Sequence, residues 1–132
     1  LKKSNKKIVK KALFLVLLIA IPITLFYFLF PEAVVTVLFG REYLEIRNLL
    51  GLFGIAISLF SCSYILVLYN LSINKKNFMY LLIIAVFFEG ISIYFLHNTL
   101  LQVVFTVTSI MFLVFLFLSL YTIKDNIWSN YR

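Results

Sequence analysis

Glu89 is the only charged residue between positions 77 and 123. An acid isolated in this way suits the uptake of a proton, the holding of a cation or contact with a polar substrate. Ser92 lies three residues on, and Ala85, Glu89 and Ser92 share one helical face. The same position also suits a structural acid held by Ser, Thr or Tyr of neighbouring helices, and the residues alone leave both roles open. Bond-making chemistry has no comparable candidate. Cys62 is the single cysteine, which excludes an internal disulfide and a Cys-based metal site, and it reads as a small packing residue. A Gly-rich phosphate loop, a metal-spaced His or Cys cluster and a nucleophile–His–acid set are all missing from the sequence. No enzyme activity, cofactor or metal centre is therefore expected.

The elements that must position Glu89 follow from composition. Apolar residues make up 64% of the 132 residues and the mean hydropathy is +1.08, whereas about half is usual in a soluble chain. The solvent for this surface must be lipid. Residues 12–31 and 48–74 carry no charge, and 77–123 carry only Glu89. A crossing needs about 20 apolar residues, so the third run accommodates two helices with His97-Asn98-Thr99 as the hairpin tip. The expected fold is an all-α polytopic membrane protein with four spans near 12–30, 47–70, 78–96 and 100–122, inside a transmembrane region 12–123.

Charge sets the topology. Of the 12 Lys and Arg, six fill positions 2–11, two are Lys75 and Lys76, and Lys124 and Arg132 close the chain. Arg41 and Arg47 instead share a loop with Glu42 and Glu45 and read as an exposed mixed-charge segment. Cytoplasmic loops collect Lys and Arg, so both termini are expected in the cytoplasm and Arg41 and Arg47 outside, in a cytoplasmic (inner or plasma) membrane. The net charge of +7 then reflects flanks of membrane spans and a lipid-bilayer partner, not a nucleic-acid surface.

Residues 1–11 pair lysines every four positions beside Leu1, Ile8 and Val9, a basic amphipathic segment able to lie on an anionic leaflet. The chain begins with Leu1, and no A-x-A site follows the first apolar run. The first helix is expected to stay in the membrane, and the chain to be processed at its start or a piece of something longer. Pro22 falls near the middle of the first span, where Pro frees a carbonyl and predicts a helix kink, although Pro is also common in membrane helices. Pro31-Glu32 restarts a short apolar segment, 33–39, that ends at Gly40 and either continues the first helix after a bend or rests at the interface. Gly54, Ser58 and Cys62 are four apart, a small-residue stripe that predicts a close helix–helix contact. At the depth of Glu89 an ionised carboxylate costs at least a few kcal/mol unless paired, hydrated or protonated, so its face should look into the protein or a wet cavity. Thr106, Thr108, Ser109 and Ser119 can bond their own helix carbonyls. Residues 124–132, with Trp128 and Tyr131, read as an interfacial cytoplasmic tail.

A Pro-containing helix, then Pro31-Glu-Ala-Val-Val-Thr-Val-Leu-Phe-Gly-Arg-Glu-Tyr43, then a helix opening with Leu49-Leu50 and small residues resembles the polysaccharide exporters. These are the lipid-linked oligosaccharide flippases of the multidrug/oligosaccharidyl-lipid/polysaccharide flippase superfamily. Leu38, Phe39, Gly40 and Tyr43 match the family's L-F-G-x-x-Y sequence, which follows its ninth helix on the outer face. Residues 70–77 are similar to its cytoplasmic turn after the tenth helix, and Thr106 and Ser109 to a pattern in its last helices. The resemblance implies that the chain covers helices nine to twelve of a two-lobe, twelve-helix transporter. It also implies a lipid-linked sugar substrate moved across the membrane by alternating access, with the remaining helices of the same transporter as partners.

Two other classes remain compatible with the residues. A self-contained four-helix, proton-coupled transporter of small multidrug type would use Glu89 as its ion-binding carboxylate. A membrane scaffold subunit without a transport path would need no water-accessible helix face.

Overall fold

The computed structural model describes the backbone of residues 2–74 and 76–128 and the side chains of 7–74 and 76–123. The described backbone is helical throughout its regular parts: α1 (Lys2–Leu29), α2 (Pro31–Leu38), a 3₁₀ helix (Arg41–Ile46), α3 (Arg47–Ser72), α4 (Phe78–Phe95) and α5 (Leu100–Trp128). Four stretches are long and apolar enough to cross a membrane, namely Lys7–Leu29, Arg41–Ser72, Phe78–Phe95 and Leu100–Ile123. The protein is an all-α, multi-pass membrane protein.

The lysine-rich residues 2–11 are continuous with the first span, because the helix runs without interruption from Lys2 to Leu29. Lys is a good helix former and nothing between Lys11 and Ala12 breaks the pattern. At 1.5 Å per residue these 28 residues reach about 42 Å against a hydrocarbon core of about 30 Å, so the lysines extend past the apolar layer. Helix α1 also continues through Pro22. The chain leaves helical geometry eight residues later, at Phe30 (φ −130°, ψ 49°), because Pro31 pushes the residue before it out of the α region. Pro31 then opens α2 with Glu32 in its first turn, where acid complements the helix dipole.

Helix α2 stops on the amides of Phe39 and Gly40, both bonded to the Val35 carbonyl at 2.8 and 3.1 Å. Gly40 follows with φ +95°, a conformation that glycine adopts at little cost. The turn lets α2 fold onto the start of α3: Val34, Val35 and Leu50 form a small core with Tyr27, Leu44 and Ile46 around it. The mixed-charge loop is the 3₁₀ helix Arg41–Ile46. Arg47 bonds Glu32, across the α2–α3 corner.

Helix α3 is the axis of the bundle, packed most extensively against α1 and α5. Phe28 near the end of α1 lies over Gly51 near the start of α3, while Lys10 and Leu13 share a groove with Tyr69 and Thr122. Helices α1 and α3 are therefore antiparallel, and α3 and α5 parallel. Phe78 at the start of α4 meets Tyr121 late in α5, with ring centroids 6.4 Å apart, so α4 is antiparallel to α5. The N-terminal part of α1, Lys76 and the C-terminal part of α5 thus gather at one end, the basic end. A core of Leu66, Phe78, Ile110, Val114 and Leu118 ties α3, α4 and α5 together there. At the other end Thr99 caps α5, its hydroxyl accepting from the Gln102 amide at 3.3 Å. Residues 129–132, the end of the expected interfacial tail, lie outside the described residues.

Candidate functional site

Helix α4 carries Glu89, and only Phe78 at its start is fully buried. Its face bearing Leu82, Ala85 and Glu89 turns toward α5 and α3, as the shared helical face of Ala85 and Glu89 predicts. A cavity of about 260 Å³ lies there, with Ser63 and Tyr64 of α3, Ala85 and Glu89 of α4 and Met111 and Val114 of α5 in its walls. Glu89 is half-buried. Among the described residues no Lys or Arg forms an ion pair with it, the single such pair being Arg47–Glu32.

Ser63 of α3 lines the same cavity, and composition gave no reason to single it out. It is 5% exposed, and its hydroxyl has no hydrogen-bond partner among the described residues. The other α3 serines are satisfied: Ser58 bonds the Gly54 carbonyl at 2.8 Å, Ser61 that of Ile57 at 2.9 Å and Ser72 that of Tyr69 at 2.7 Å. Ser63 therefore departs from the back-bonding usual for helical serines, and it lines the same cavity as Glu89. The available signal was positional. Ser63 is one residue beyond the stripe ending at Cys62, about 100° around the helix, and so faces another neighbour. Ser92, expected beside Glu89, is half-buried on α4 but does not line the cavity; its carbonyl receives the Leu96 amide at 2.9 Å and ends the helix.

An unpaired carboxylate among apolar walls costs a few kcal/mol when ionised. Whatever neutralises it, whether a proton, a cation or hydroxyl donors, gains from removing that cost. The cavity wall is almost wholly apolar, with Glu89 as its single charged residue. Among the described residues no cluster of His, Cys, Asp or Glu has the grouping of a metal centre.

The stripe Gly54, Ser58 and Cys62 makes the contact its spacing predicts, and its partner is α1. A Cβ on Gly54 would stand 3.0 Å from the Tyr27 ring and 3.4 Å from Thr24. The Ser58 and Thr24 hydroxyls are 3.0 Å apart. Gly51 extends the stripe beneath Phe28, where an added Cβ would come within 2.5 Å of the ring. Cys62 is buried at the end of the stripe.

Leu38, Phe39, Gly40 and Tyr43 lie together at the α2–3₁₀ turn, but they do not converge on a pocket. Leu38, Phe39 and Tyr43 are 61%, 53% and 53% exposed. Gly40 acts through its backbone, since a Cβ there would meet nothing within 4 Å.

Asn70, the last residue of the expected second span, lies within α3 and is fully buried. Its amide nitrogen donates to the Leu66 carbonyl at 2.8 Å and to the Thr122 hydroxyl at 3.0 Å, locking α3 to α5 at the basic end. Its Oδ1 has no partner. On α5, Thr106, Thr108 and Ser109 bond carbonyls of their own helix at 2.7–2.8 Å, as their placement on a membrane helix predicts. Comparison of the chain with profiles of known protein families, with characterised proteins and with solved structures finds no match in any of the three.

Proposed function

We propose that this chain supplies four helices of a transporter that moves a lipid-linked oligosaccharide or polysaccharide precursor across the cytoplasmic membrane by alternating access. The observation that carries the reading is the sequence Pro31 to Tyr43 with its Leu38-Phe39-Gly40-x-x-Tyr43 pattern, the basis of the resemblance to the polysaccharide exporters. Two features of the fold support it. The pattern occupies a defined turn after a helix broken at Phe30, with Gly40 at a positive φ. It also lies at the end of the bundle opposite the lysines, the outer side by the positive-inside rule. A sugar headgroup and a diphosphate need a polar path shielded from hydrocarbon. In this reading α1–α5 form part of one lobe, the remaining helices of the transporter complete the path, and the Glu89 cavity takes the coupling ion or a substrate hydroxyl.

The test is deletion of the gene followed by assay of lipid-linked saccharide in each leaflet. Saccharide is expected to accumulate on the inner leaflet and to be cleared by the wild-type chain. Glu89→Gln is expected to clear it at least about tenfold more slowly, a factor equivalent to about 1.4 kcal/mol. Unchanged leaflet distribution after deletion would reject the reading.

The cavity favours one second reading, a self-contained proton-coupled transporter of four helices, because Glu89, without an ion-pair partner among the described residues, lines a space of about 260 Å³. It requires proton-driven efflux from vesicles containing this chain alone, abolished by the same Glu89→Gln exchange.

A further inference from the structure

At the basic end a groove of about 340 Å³ opens between α1, α3 and α5, with Lys10, Leu13, Leu66, Tyr69, Ser119 and Thr122 in its walls. Among the described residues its polar groups are not equally committed. Thr122 is fixed, donating to the Leu118 carbonyl at 2.7 Å and accepting from Asn70 at 3.0 Å. Four of the five described Ser and Thr hydroxyls of α5 bond a carbonyl four residues back. Ser119 is the one that does not, and it lines this groove. Tyr69 is 6% exposed and lines the same groove; its phenol has no hydrogen-bond partner among the described residues. One ammonium and two uncommitted hydroxyls thus border a single space.

The surroundings have the amphipathic character of a lipid. Lys10 also lines an adjoining pocket with Lys7, Lys11, Phe14 and Leu15. Phe14 and Leu15, one turn toward the bundle centre, are 65% and 56% exposed, so a basic rim gives way within a turn to an apolar wall. Basic pockets between membrane helices recognise phosphate headgroups, charge-assisted bonds to phosphate are the strong ones, and the volume falls within the roughly 300–1,000 Å³ usual for ligand sites.

We propose that this groove binds the phosphate headgroup of an anionic phospholipid from the leaflet at the basic end. Lys10 supplies the charge, Ser119 and Tyr69 donate hydrogen bonds, and the acyl chains follow the exposed apolar side of α1. The lipid holds the lysine-bearing end of α1 against α3 and α5. This inference stands apart from the transport reading.

The full chain, purified in neutral detergent, is titrated with phosphatidylglycerol and with phosphatidylcholine, and bound lipid is counted by native mass spectrometry. Phosphatidylglycerol is expected to bind at least about fivefold tighter, the factor one membrane-surface lysine contributes. Lys10→Gln combined with Ser119→Ala is expected to abolish this preference. Lys10→Arg is expected to keep it, which shows that the site tolerates exchange without unfolding, and Lys76→Gln at the same end is expected to keep it too. Equal binding of the two lipids would overturn the proposal. So would a loss in Lys76→Gln as large as in the double variant, since the attraction would then be a diffuse charge effect. Displacement of phosphatidylglycerol by an equal concentration of inorganic phosphate would exclude a lipid site as well.

Discussion

Helix α3 meets α1 through Gly51, Gly54, Ser58 and Cys62, and meets α4 and α5 through Ser63, Val67 and Asn70. On the first face small residues let the rings of Tyr27 and Phe28 lie directly on the backbone, and the hydroxyls of Ser58 and Thr24 satisfy each other. On the second face the contact with α5 is as extensive and a core of Leu66, Phe78, Ile110, Val114 and Leu118 is buried. Among the described residues, however, the Ser63 hydroxyl and the Asn70 carbonyl oxygen lack partners there. Cavities border both faces, about 260 and 410 Å³ on the first and about 260 Å³ on the second. Lipid tails are as apolar as Leu, so helices in a bilayer gain little from burying Leu against Leu, and close packing and hydrogen bonds decide which contacts are firm. By that measure the α1–α3 contact, made through small residues and a hydroxyl pair, is the tight face. Helix α4 packs on α5 more than on α3, is held at Phe78 and leaves space further along. This loose face carries the unpaired carboxylate of Glu89.

The largest expected effect tests the tight face. Gly54→Leu forces a branched side chain into Tyr27 and Thr24, and overpacking of this kind costs about 1–3 kcal/mol. Gly90→Leu on α4 makes the same chemical change where an added Cβ meets nothing within 4 Å, and it should leave stability unchanged or raise it by up to about 1 kcal/mol through helix propensity. Thermal unfolding of both variants in the same detergent checks the contrast. Equal losses would mean that close packing at Gly54 is not what opposes the larger side chain.

Asn70→Ala tests the polar lock on the loose face. It removes the bond to Thr122, and interhelical hydrogen bonds in membranes average about 0.6 kcal/mol and reach about 1.7. Full burial of Asn70 favours the upper part of that range, offset by release of its unpartnered Oδ1. A loss of about 1 kcal/mol is expected, smaller than for Gly54→Leu, with α5 loosening from α3 while α1 stays in place. Cysteine crosslinking between α3 and each neighbour distinguishes these contacts.

The tight face and the loose face were not equally legible in the sequence. The stripe Gly54, Ser58, Cys62 announced the first because residue size at four-residue spacing is a local property. The four spans were legible for a similar reason, since charge is excluded from hydrocarbon along the chain itself. The identity of the partner helix was not legible: nothing in α3 says that its small residues meet Thr24 and Tyr27 of α1. Glu89 stood out as an isolated charge, but its cavity neighbour came from a helix 26 residues earlier, at Ser63. A serine in an apolar run ordinarily bonds its own helix, so only its departure from that habit marks it. Pro22 lies inside α1, and the helix ends at Leu29, where Pro31 acts on Phe30 before it and α2 finds a place to dock.

Ser63→Ala gives the smallest expected change and the most direct test of the loose face. A buried hydroxyl without a partner costs about 1–3 kcal/mol, and alanine forms helix slightly better than serine. The variant should be more stable by about 0.5–1 kcal/mol, a sign opposite to that of Gly54→Leu and Asn70→Ala. The gain has a functional counterpart. If the hydroxyl is left unbonded because a bound species uses it together with Glu89, Ser63→Ala should raise the unfolding temperature and lower activity together. A variant that is less stable than wild type would mean that Ser63 has a protein partner, and the loose face would then be as closed as the tight one.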